Sequence, residues 1–355
     1  MSAPPKTYEL QPGERPTLKA ISRLTGFAVP TVSRALSGAT EIAARTRQVV
    51  NECARAIGYE PSRTGLQLRT GRTYNITLVL EAQSDAITNT SILISGMSQA
   101  LSGTSYQLSV VPSASDFADA TQVRRIVENR LADGLIMSFI RRQDERVDYL
   151  IERGFPFVTH GRTEDSSRHS YYDLDDAVFC RLALEALARR GRRHALLIAP
   201  AEDFNFGHVI RSTLLNEAAA YGLTVTVAPM CHAQHGIDEI QAGVLASMAV
   251  LPDVDCIIST SQSSMIAACL AVEARGHVIG MDFDIFGKEN LPFLKKLKPG
   301  VLMASQSLAA TGAFLCNAVL QQIETPPEKR KLVQFLEVPT FDDPRFGPLL
   351  GVPPA

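Results

Sequence analysis

Residues 17–38 have the sequence TLKAISRLTGFAVPTVSRALSG, and this stretch decides the fold of the N-terminal part of the chain. Its first apolar residues recur with helical spacing at Leu18, Ile21 and Leu24. Gly26 is typical of a helix end, and a second helix is predicted over 29–36 with Pro30 in its first turn. A third helix is predicted from about 44 to 57. Three short helices, the first two joined by a tight glycine turn, are typical of a helix-turn-helix unit.

The charge of the chain is unevenly distributed. Residues 1–72 contain 11 Lys/Arg and 5 Asp/Glu, whereas residues 73–355 contain 24 Lys/Arg and 32 Asp/Glu. The first part is therefore basic and the second acidic, although the net charge of the 355 residues is only −2. A basic head on an acidic body favours contact between the head and a polyanion.

After residue 73 the pattern changes to short β runs separated by helical segments. The β runs lie at 76–80, 106–111, 134–139, 155–158, 195–199, 223–228, 256–259, 283–286 and 301–305. Helical segments between them include 91–102, 119–131, 176–190, 208–221, 263–274 and 308–322. This alternation predicts an α/β fold with parallel sheets, and about 280 residues favour two lobes rather than one core.

These patterns predict five segments. Residues 1–16, with four prolines, are expected to be a flexible arm, and 17–60 the helix-turn-helix domain. Residues 61–73 are expected to be a basic linker with a short helix over 62–70. Residues 74–341 form the two-lobed body, and 342–355 a loose proline-rich tail.

Several classes of protein are not favoured. No apolar run reaches the roughly 18 residues of a membrane helix, and the start of the chain does not resemble a secretory signal. The six cysteines form no C-x-x-C pair, so we expect a reduced, cytoplasmic protein. No nucleophile elbow, phosphate loop or H-E-x-x-H motif is present, which argues against an enzyme and against a cofactor. Cys231, His232 and His235 have metal-like spacing but lack a fourth ligand, so no metal site is predicted.

The stretch 17–38 resembles the lactose-repressor (LacI/GalR) family of bacterial transcription regulators. Further matches lie at 46–47, 57–61, 68–73, 155–162 and 189–198. The resemblance extends over about 17–340. It implies a helix-turn-helix head, a hinge helix and a two-lobed body like that of periplasmic binding proteins. It also implies a homodimer on a near-palindromic operator in double-stranded DNA, controlled by a small sugar-like effector.

For the head, the resemblance implies that the helix 29–36 lies in the major groove. Val29 and Pro30 would face bases, where they can contact a thymine methyl group but cannot form a bidentate hydrogen bond. Arg34 can donate two hydrogen bonds to guanine O6 and N7. Thr31 and Ser33 have short hydroxyl side chains suited to phosphate oxygens. The alternative for the polar residues is a solvated helix face.

Leu68 matches the family leucine that wedges into the minor groove at the operator centre. Gly65 stands where alanine is common, which suggests a hinge that folds only on DNA. The alternative is a plain flexible linker with Leu68 packed on protein. Ala28 and Ala43 stand where the family often has a helix-capping serine, so the head is expected to be less stable. These departures keep open a second function, a sugar-binding sensor with a degenerate DNA-binding head.

For the body, the resemblance implies an effector site at the carboxyl ends of the strands. The residues at these positions are Asn89, Arg141, His160, Phe204, Arg211, Ser261, Glu289 and Gln306. Arg211 matches an arginine that grips sugar hydroxyls in relatives, and Phe204 is a candidate for stacking on a sugar ring. Relatives often have Asn-Asp at 261–262, where this chain has Ser-Gln, so no particular sugar is implied.

The charge of the effector is left open by the sequence. Five basic or ionisable side chains of the body could together favour an acidic or phosphorylated sugar: Arg141, Arg142, His160, Arg162 and Arg211. Each one alone is as well explained as a surface ion pair or a loop residue. The sequence therefore predicts a sequence-specific regulator, most simply a repressor, and leaves open the effector, the operator and the choice between dimer and tetramer.

Overall fold

The computed structural model describes residues 8–60, 65, 67, 70–81, 86–113, 120–289 and 292–346. The chain divides into two compact units, Met1–Thr73 and Tyr74–Ala355. We call them the head and the body, and describe each by itself.

The head contains three helices, α1 (Leu18–Thr25), α2 (Val29–Leu36) and α3 (Ala44–Ala56). Thr17 caps α1, because its hydroxyl accepts a hydrogen bond from the Ala20 N–H at 3.1 Å. Gly26 ends α1 with φ of 78°, a left-handed conformation that favours glycine. The core between the helices is formed mainly by Ala20, Ile21, Val32, Ala35, Val50 and Cys53. All three helices lie where their periodicity predicts them.

The segment before α1 differs from the expected flexible arm over residues 8–16. Tyr8 and Leu10 pack against the core of the head. The Glu14 carboxylate forms an ion pair with the Arg23 guanidinium of α1 at 2.5 Å. Two apolar side chains and one ion pair thus hold this segment on the head, although its prolines break any helical pattern. Residues 1–7 lie outside the described part.

The body contains eleven strands and nine further helices in its described residues. The strands are β1 (Asn75–Glu81), β2 (Gln107–Ser113), β3 (Gly134–Met137), β4 (Phe157–His160), β5 (Tyr171–Leu174), β6 (His194–Ile198), β7 (Thr224–Val227), β8 (Cys256–Ser259), β9 (Asp284–Glu289), β10 (Leu302–Ser305) and β11 (Gln334–Glu337). The helices are α4 (Ala86–Leu101), α5 (Thr121–Glu128), α6 (Glu145–Glu152), α7 (Asp176–Arg189), α8 (Asn205–Glu217), α9 (Ile237–Val250), α10 (Gln262–Ala274), α11 (Pro292–Leu297) and α12 (Leu308–Glu324).

The strands form two parallel sheets, one in each lobe. The sheet of lobe 1 has the strand order β11-β5-β4-β3-β1-β2, and the sheet of lobe 2 has the order β10-β9-β8-β6-β7. Every pairing between these strands is parallel, so the predicted α/β architecture is confirmed. The chain passes from lobe 1 to lobe 2 between β5 and α7, and returns between β10 and α12. Polar residues at these crossings therefore lie where the two lobes meet.

Two strands were not predicted from the sequence, β5 and β11. All four residues of β5, YYDL, are buried, so the strand lacks the alternation of a half-buried strand. It is placed by its neighbours on both sides, β4 and β11. The strand β11 is an edge strand whose first two residues are exposed, which leaves only a weak apolar pattern.

The helices α4 and α12 pack closely in lobe 1. A Cβ atom on Gly96 would lie 2.1 Å from the Ala309 carbonyl oxygen, and one on Gly312 would lie 2.2 Å from the Leu93 carbonyl oxygen. The two helices therefore approach backbone to backbone where only glycine fits. In the described part of the chain, no helix is both long and apolar enough to cross a membrane.

The expected loose tail, 342–355, is packed over its first residues. Phe341 stacks on Phe286 of β9 with ring centroids 5.4 Å apart, and Phe346 contacts Phe341 edge-on at 5.3 Å. The buried Asp343 carboxylate holds the Arg345 guanidinium at 2.6 Å. Residues 342–346 are thus attached to lobe 2 by aromatic contacts, and residues 347–355 lie outside the described part.

Candidate functional site

The first candidate site is the outer face of α2 in the head. Its inner face is fixed in the core by Val32 and Ala35. Pro30 and Arg34, one turn apart, are exposed. The remaining predicted contact residues are partly exposed: Val29, Thr31 and Ser33. The structure thus brings all five predicted residues of this helix to or near its solvent face, where a nucleic-acid groove can be reached.

The turn that presents α2 is held by a side chain of α1. The Ser22 hydroxyl donates to the Phe27 carbonyl oxygen at 2.6 Å, which closes the turn around Gly26. The N-terminus of α2 itself follows Ala28, and no side chain caps it; α3 likewise begins after Ala43 without a side-chain cap. The structure therefore agrees with the sequence-based prediction that α2 and α3 lack side-chain caps.

The hinge segment is described only in part. Residues 65, 67 and 70 are helical, and the Gly71 N–H donates to the Gln67 carbonyl oxygen at 2.8 Å. Leu68, the predicted wedge residue, lies outside the described residues.

The second candidate site is a cleft between the two lobes of the body. Polar side chains and backbone from both sheets line it at the carboxyl ends of the strands: Thr90, Ser138, His160, Asp173, Asp176, Gln234, Thr260, Ser261, Lys288 and Gln306. Apolar residues line the rest: Leu80, Leu93, Phe139, Leu174, Pro200, Phe206, Ala233 and Leu308. A cavity with an apolar wall and convergent polar groups at this edge of parallel sheets is typical of a small-molecule site.

Three of the predicted effector residues line this cleft, namely His160, Ser261 and Gln306. The Ser261 hydroxyl also caps α10, since it accepts from the Ser264 N–H at 3.2 Å. Two further predicted residues, Asn89 in α4 and Glu289 at the end of β9, lie in described elements, but their side chains are outside the description.

Three predicted residues are not among the described residues that line the cleft. The Arg141 guanidinium pairs with the Asp203 carboxylate at 3.3 Å. Arg211 donates from Nε and Nη2 to the Pro200 carbonyl oxygen, each at 3.2 Å, so it supports the lining from behind. Phe204 is buried and stacks on Phe206, which does line the cleft, with ring centroids 5.6 Å apart.

Three charged residues of the cleft were missed by the sequence analysis. Asp173 is the third residue of β5, Asp176 begins α7, and Lys288 lies on β9. The Lys288 ammonium contacts the Asp176 carboxylate at 2.6 Å and lies 5.1 Å from the centre of the Phe179 ring. The Arg162 guanidinium contacts Asp173 at 3.2 Å. The acidic run DLDD at 173–176 was a visible signal, but the strand that carries it was not recognised.

Burial changes the protonation of these groups. Burial and the Lys288 ammonium lower the pKa of His160 to about 4, so its ring is neutral at neutral pH. Burial and the neighbouring Asp176 raise the pKa of Asp173 to about 7, against the opposing effect of Arg162. Burial also raises the pKa of Asp176, although Lys288 opposes this shift.

The Cys231, His232 and His235 motif lies beside the cleft. The two histidine rings have centroids 3.5 Å apart and planes tilted by 43°, and His232 Nδ1 lies 3.2 Å from the Gln234 Oε1 atom. The described residues contain no group of three or more His, Cys, Asp or Glu that could hold a metal ion. All six cysteines are free and buried.

Comparison with known protein families and sequences identifies the head. Residues 17–62 match the family model of bacterial regulatory proteins of the lacI family. The transcriptional regulator AglR of Rhizobium meliloti is 29% identical over 326 residues, which cover 88% of this chain and 90% of AglR. The transcriptional regulator CelR of Thermobifida fusca is 25% identical, over 87% of this chain and 92% of its own length. Both relatives are transcription regulators.

Solved structures share the fold over most of the chain. A complex of the regulator CelR with cellobiose matches with a TM-score of 0.67 and 22% identity, over 93% of this chain and 99% of that one. The lac repressor dimer bound to operator matches with a TM-score of 0.76 and 17% identity, over 93% and 98%. The resemblance to the lactose-repressor (LacI/GalR) family is thereby confirmed: residues 17–62 form a DNA-binding domain of the lacI family, and the chain is a DNA-binding transcription regulator with the fold of that family.

Proposed function

We propose that this regulator is a repressor that binds a near-palindromic operator as a homodimer, and that an effector in the cleft controls its operator affinity. The observation that carries the proposal is the combination of an exposed α2 face with a polar, partly buried cleft between two lobes. A ligand that binds both lobes favours one lobe arrangement, and this can couple to DNA affinity by about 1–3 kcal/mol. Such a protein acts in the cytoplasm, where its operator is.

The division of labour along the chain follows from this proposal. Residues 17–60 would bind DNA, and 61–73 would form the hinge helix with Leu68 as a minor-groove wedge. Residues 74–341 would bind the effector and form the dimer interface. Two-fold symmetry of the dimer would match two operator half-sites, as is usual for helix-turn-helix dimers.

The proposed DNA contacts follow from the exposure of α2. Arg34 is exposed one turn beyond Pro30, so its guanidinium can reach a guanine edge in the major groove. Val29 and Pro30 offer only apolar contact, which suits a thymine methyl group. Thr31 and Ser33 would hold phosphate oxygens and so set the register of the helix.

The proposed effector is a sugar or a sugar derivative. The apolar wall formed by residues such as Phe139 and Phe206 suits the C–H face of a sugar ring, and the polar side suits hydroxyl groups. The solved CelR structure of the same fold contains cellobiose, which supports a sugar as the ligand class. Of the predicted residues, His160, Ser261 and Gln306 are proposed as direct contacts. Asn89 and Glu289 are the sequence neighbours of the lining residues Thr90 and Lys288, and are proposed as further contacts. Arg211 and Phe204 would act by positioning Pro200 and Phe206.

A genome-wide binding footprint of the full-length protein tests the DNA half of this proposal. The wild type should occupy short palindromes, and Leu68→Ala and Arg34→Ala should lose them. The matched control is Arg168→Ala, which removes an exposed arginine of the body that pairs with Asp148. Its footprint should equal that of the wild type.

The second candidate function is a sugar sensor with a degenerate head, favoured by the uncapped helices that follow Ala28 and Ala43. It predicts no discrete sites at moderate salt, with only weak, salt-sensitive DNA binding remaining. A wild-type footprint without palindromes would therefore replace the first proposal by this one.

A further inference from the structure

Two carboxylates lie at the place where the chain crosses between the lobes. Asp173 is near the end of β5 and Asp176 begins α7, and both line the cleft. Only 8% of Asp173 and 3% of Asp176 is exposed. Two acidic side chains so close in the sequence thus share one buried environment, where water can stabilise neither of them well.

Two cations oppose this pair, and each is already engaged. Lys288 contacts Asp176 at 2.6 Å, and Arg162 contacts Asp173 at 3.2 Å. The other titratable neighbours do not add positive charge. Burial keeps His160 neutral, and Glu337 of the neighbouring strand β11 accepts a hydrogen bond from the Tyr172 hydroxyl at 2.9 Å.

The proton affinity of the pair is raised, as expected for two carboxylates that share a buried environment. The pKa of Asp173 is raised to about 7, mainly by burial and then by Asp176, while Arg162 and Lys288 oppose the shift. A pKa of about 7 means that Asp173 gains or loses its proton within the neutral pH range when no ligand is bound. A ligand that donates hydrogen bonds stabilises the ionised carboxylate and lowers this proton affinity.

Three of the four arginines that suggested an acidic effector are occupied elsewhere. Arg141 pairs with Asp203, and Arg142 pairs with the Glu164 carboxylate at 3.1 Å. Arg211 donates to the Pro200 carbonyl oxygen. None of these arginines is among the described residues that line the cleft. A ligand phosphate or carboxylate would lie against the two buried aspartates, whose cations Lys288 and Arg162 are already engaged, so it would lack a cation of its own.

A further polar group in the cleft, the Ser138 hydroxyl, can form a hydrogen bond with a ligand. The Ser138 hydroxyl is buried, with 6% of the residue exposed, and has no hydrogen-bond partner among the described residues. A buried hydroxyl without a hydrogen-bond partner is unfavourable. A ligand hydroxyl can serve it as donor or acceptor. Its position in lobe 1 adds to the hydroxyl-binding character of the cleft.

We propose that the cleft takes an uncharged, hydroxyl-rich ligand that donates hydrogen bonds to Asp173 and Asp176, and that its binding releases to solvent the proton held by this pair. The inference rests on the proposed effector function of the cleft. It excludes sugar acids and sugar phosphates as preferred ligands. It also makes the affinity for the ligand rise with pH through the neutral range, because the ionised pair binds hydroxyl donors better.

The test uses matched neutral and anionic probes on the full-length protein. Cellobiose is compared with cellobionate, glucose with gluconate and glucose 6-phosphate, and ribose with ribose 5-phosphate. Binding is screened by thermal unfolding, and the dissociation constant of the best neutral probe is then measured by calorimetry at pH 8 and pH 6. From the Asp173 pKa of about 7, the affinity should fall by about tenfold at pH 6.

Variants assign the effect to the pair. Asp173→Asn should remove most of this pH dependence, whereas Asp148→Asn, an exposed aspartate of the body, should keep it. Should Asp173→Asn bind no probe, wild-type calorimetry in phosphate and Tris buffers counts the released protons directly, because the two buffers differ in ionisation enthalpy. A carbon-13 titration of the aspartate carboxyls in the free protein adds a reading that needs no ligand, and one carboxyl should titrate near neutral pH.

The outcomes separate this inference from the proposed function. An anionic probe that binds more tightly than its neutral parent, a pH-independent affinity, or a panel in which no neutral sugar binds would overturn it. A neutral sugar that binds with proton release but leaves operator affinity unchanged would contradict the proposed regulation and support the ligand class. Loss of the operator footprint alone would leave the cleft result standing.

Discussion

The head and the cleft present their charges in opposite ways. On α2 the Arg34 side chain is exposed, and the buried residues of that helix are apolar. In the cleft, Asp176 and Lys288 are largely buried and joined in an ion pair. A DNA phosphate backbone attracts cations that stay solvated until contact, whereas a small ligand is recognised by groups that are already oriented and dehydrated. Removing a charged side chain should therefore change mainly the stability of the protein in the cleft. In the head it should change mainly the binding of DNA.

The largest effect should come from breaking the buried pair. Asp176→Ala leaves the Lys288 ammonium buried without its partner, so we expect the free energy of unfolding to fall by about 3–5 kcal/mol. Denaturant unfolding of the full chain measures this loss. The control is Asp148→Ala, whose exposed pair with Arg168 at 2.8 Å should be worth at most about 1 kcal/mol.

A double variant separates charge from packing. In Asp176→Ala with Lys288→Met, no charge remains unpaired, and the methionine can still contact the Phe179 ring. Much of the lost stability should return. Equal stability of the single and double variants would show that the loss came from packing around α7 and not from the buried charge.

The next effect concerns the exposed arginine of the head. Arg34→Ala removes an exposed, solvated guanidinium, so the free energy of unfolding should change by less than about 0.5 kcal/mol. Operator binding should weaken by about 1–3 kcal/mol, and base preference at the contacted pair should relax. Competition binding against operators with single base changes measures both. Uniform weakening on every sequence would instead assign Arg34 to a phosphate.

The same contrast explains what could be predicted from the sequence. The head is local: Gly26, Pro30 and the apolar spacing determine its helices within a few residues, and the structure has α1 and α2 at the predicted positions. The cleft is assembled from strand ends far apart in the sequence. Asp173 lies on a strand placed by β4 and β11, and Lys288 meets Asp176 across 112 residues. No short sequence pattern predicts the contact between Lys288 and Asp176.

Arg211 shows the limit of transferring a residue by resemblance. It was predicted to contact the effector, but it lies in the middle of α8 and its side chain donates to the Pro200 carbonyl oxygen instead of lining the cleft. Whether a guanidinium faces a cavity or a backbone carbonyl depends on side-chain direction, which helical spacing alone does not determine. The same is true of Arg141, which pairs with Asp203.

A smaller effect is expected from restoring the missing helix caps. Ala28→Ser and Ala43→Ser each give a helix N-terminus a hydroxyl that can accept a free N–H, which should stabilise the head by about 0.5–2 kcal/mol. Hydrogen exchange of α2 and α3 amides in the full chain measures this gain. Thr17→Ala, which removes the cap of α1, should have the opposite sign and a similar size. Unchanged exchange in both serine variants would show that the caps do not limit the stability of the head.

The smallest effect should follow from Arg141→Ala, and it sharpens the contrast within the body. The Arg141 and Asp203 side chains are partly exposed, so their ion pair contributes about 0–1 kcal/mol. Removing the side chain also leaves the backbone hydrogen bonds between the same loops, from Asn205 N–H to the Ile140 carbonyl and from Arg142 N–H to the Asp203 carbonyl, both at 3.1 Å. The affinity for the neutral sugar that binds best in the panel above should therefore change by less than about fivefold. A larger loss would show that Arg141 turns into the cleft when ligand binds, and would return it to the effector site.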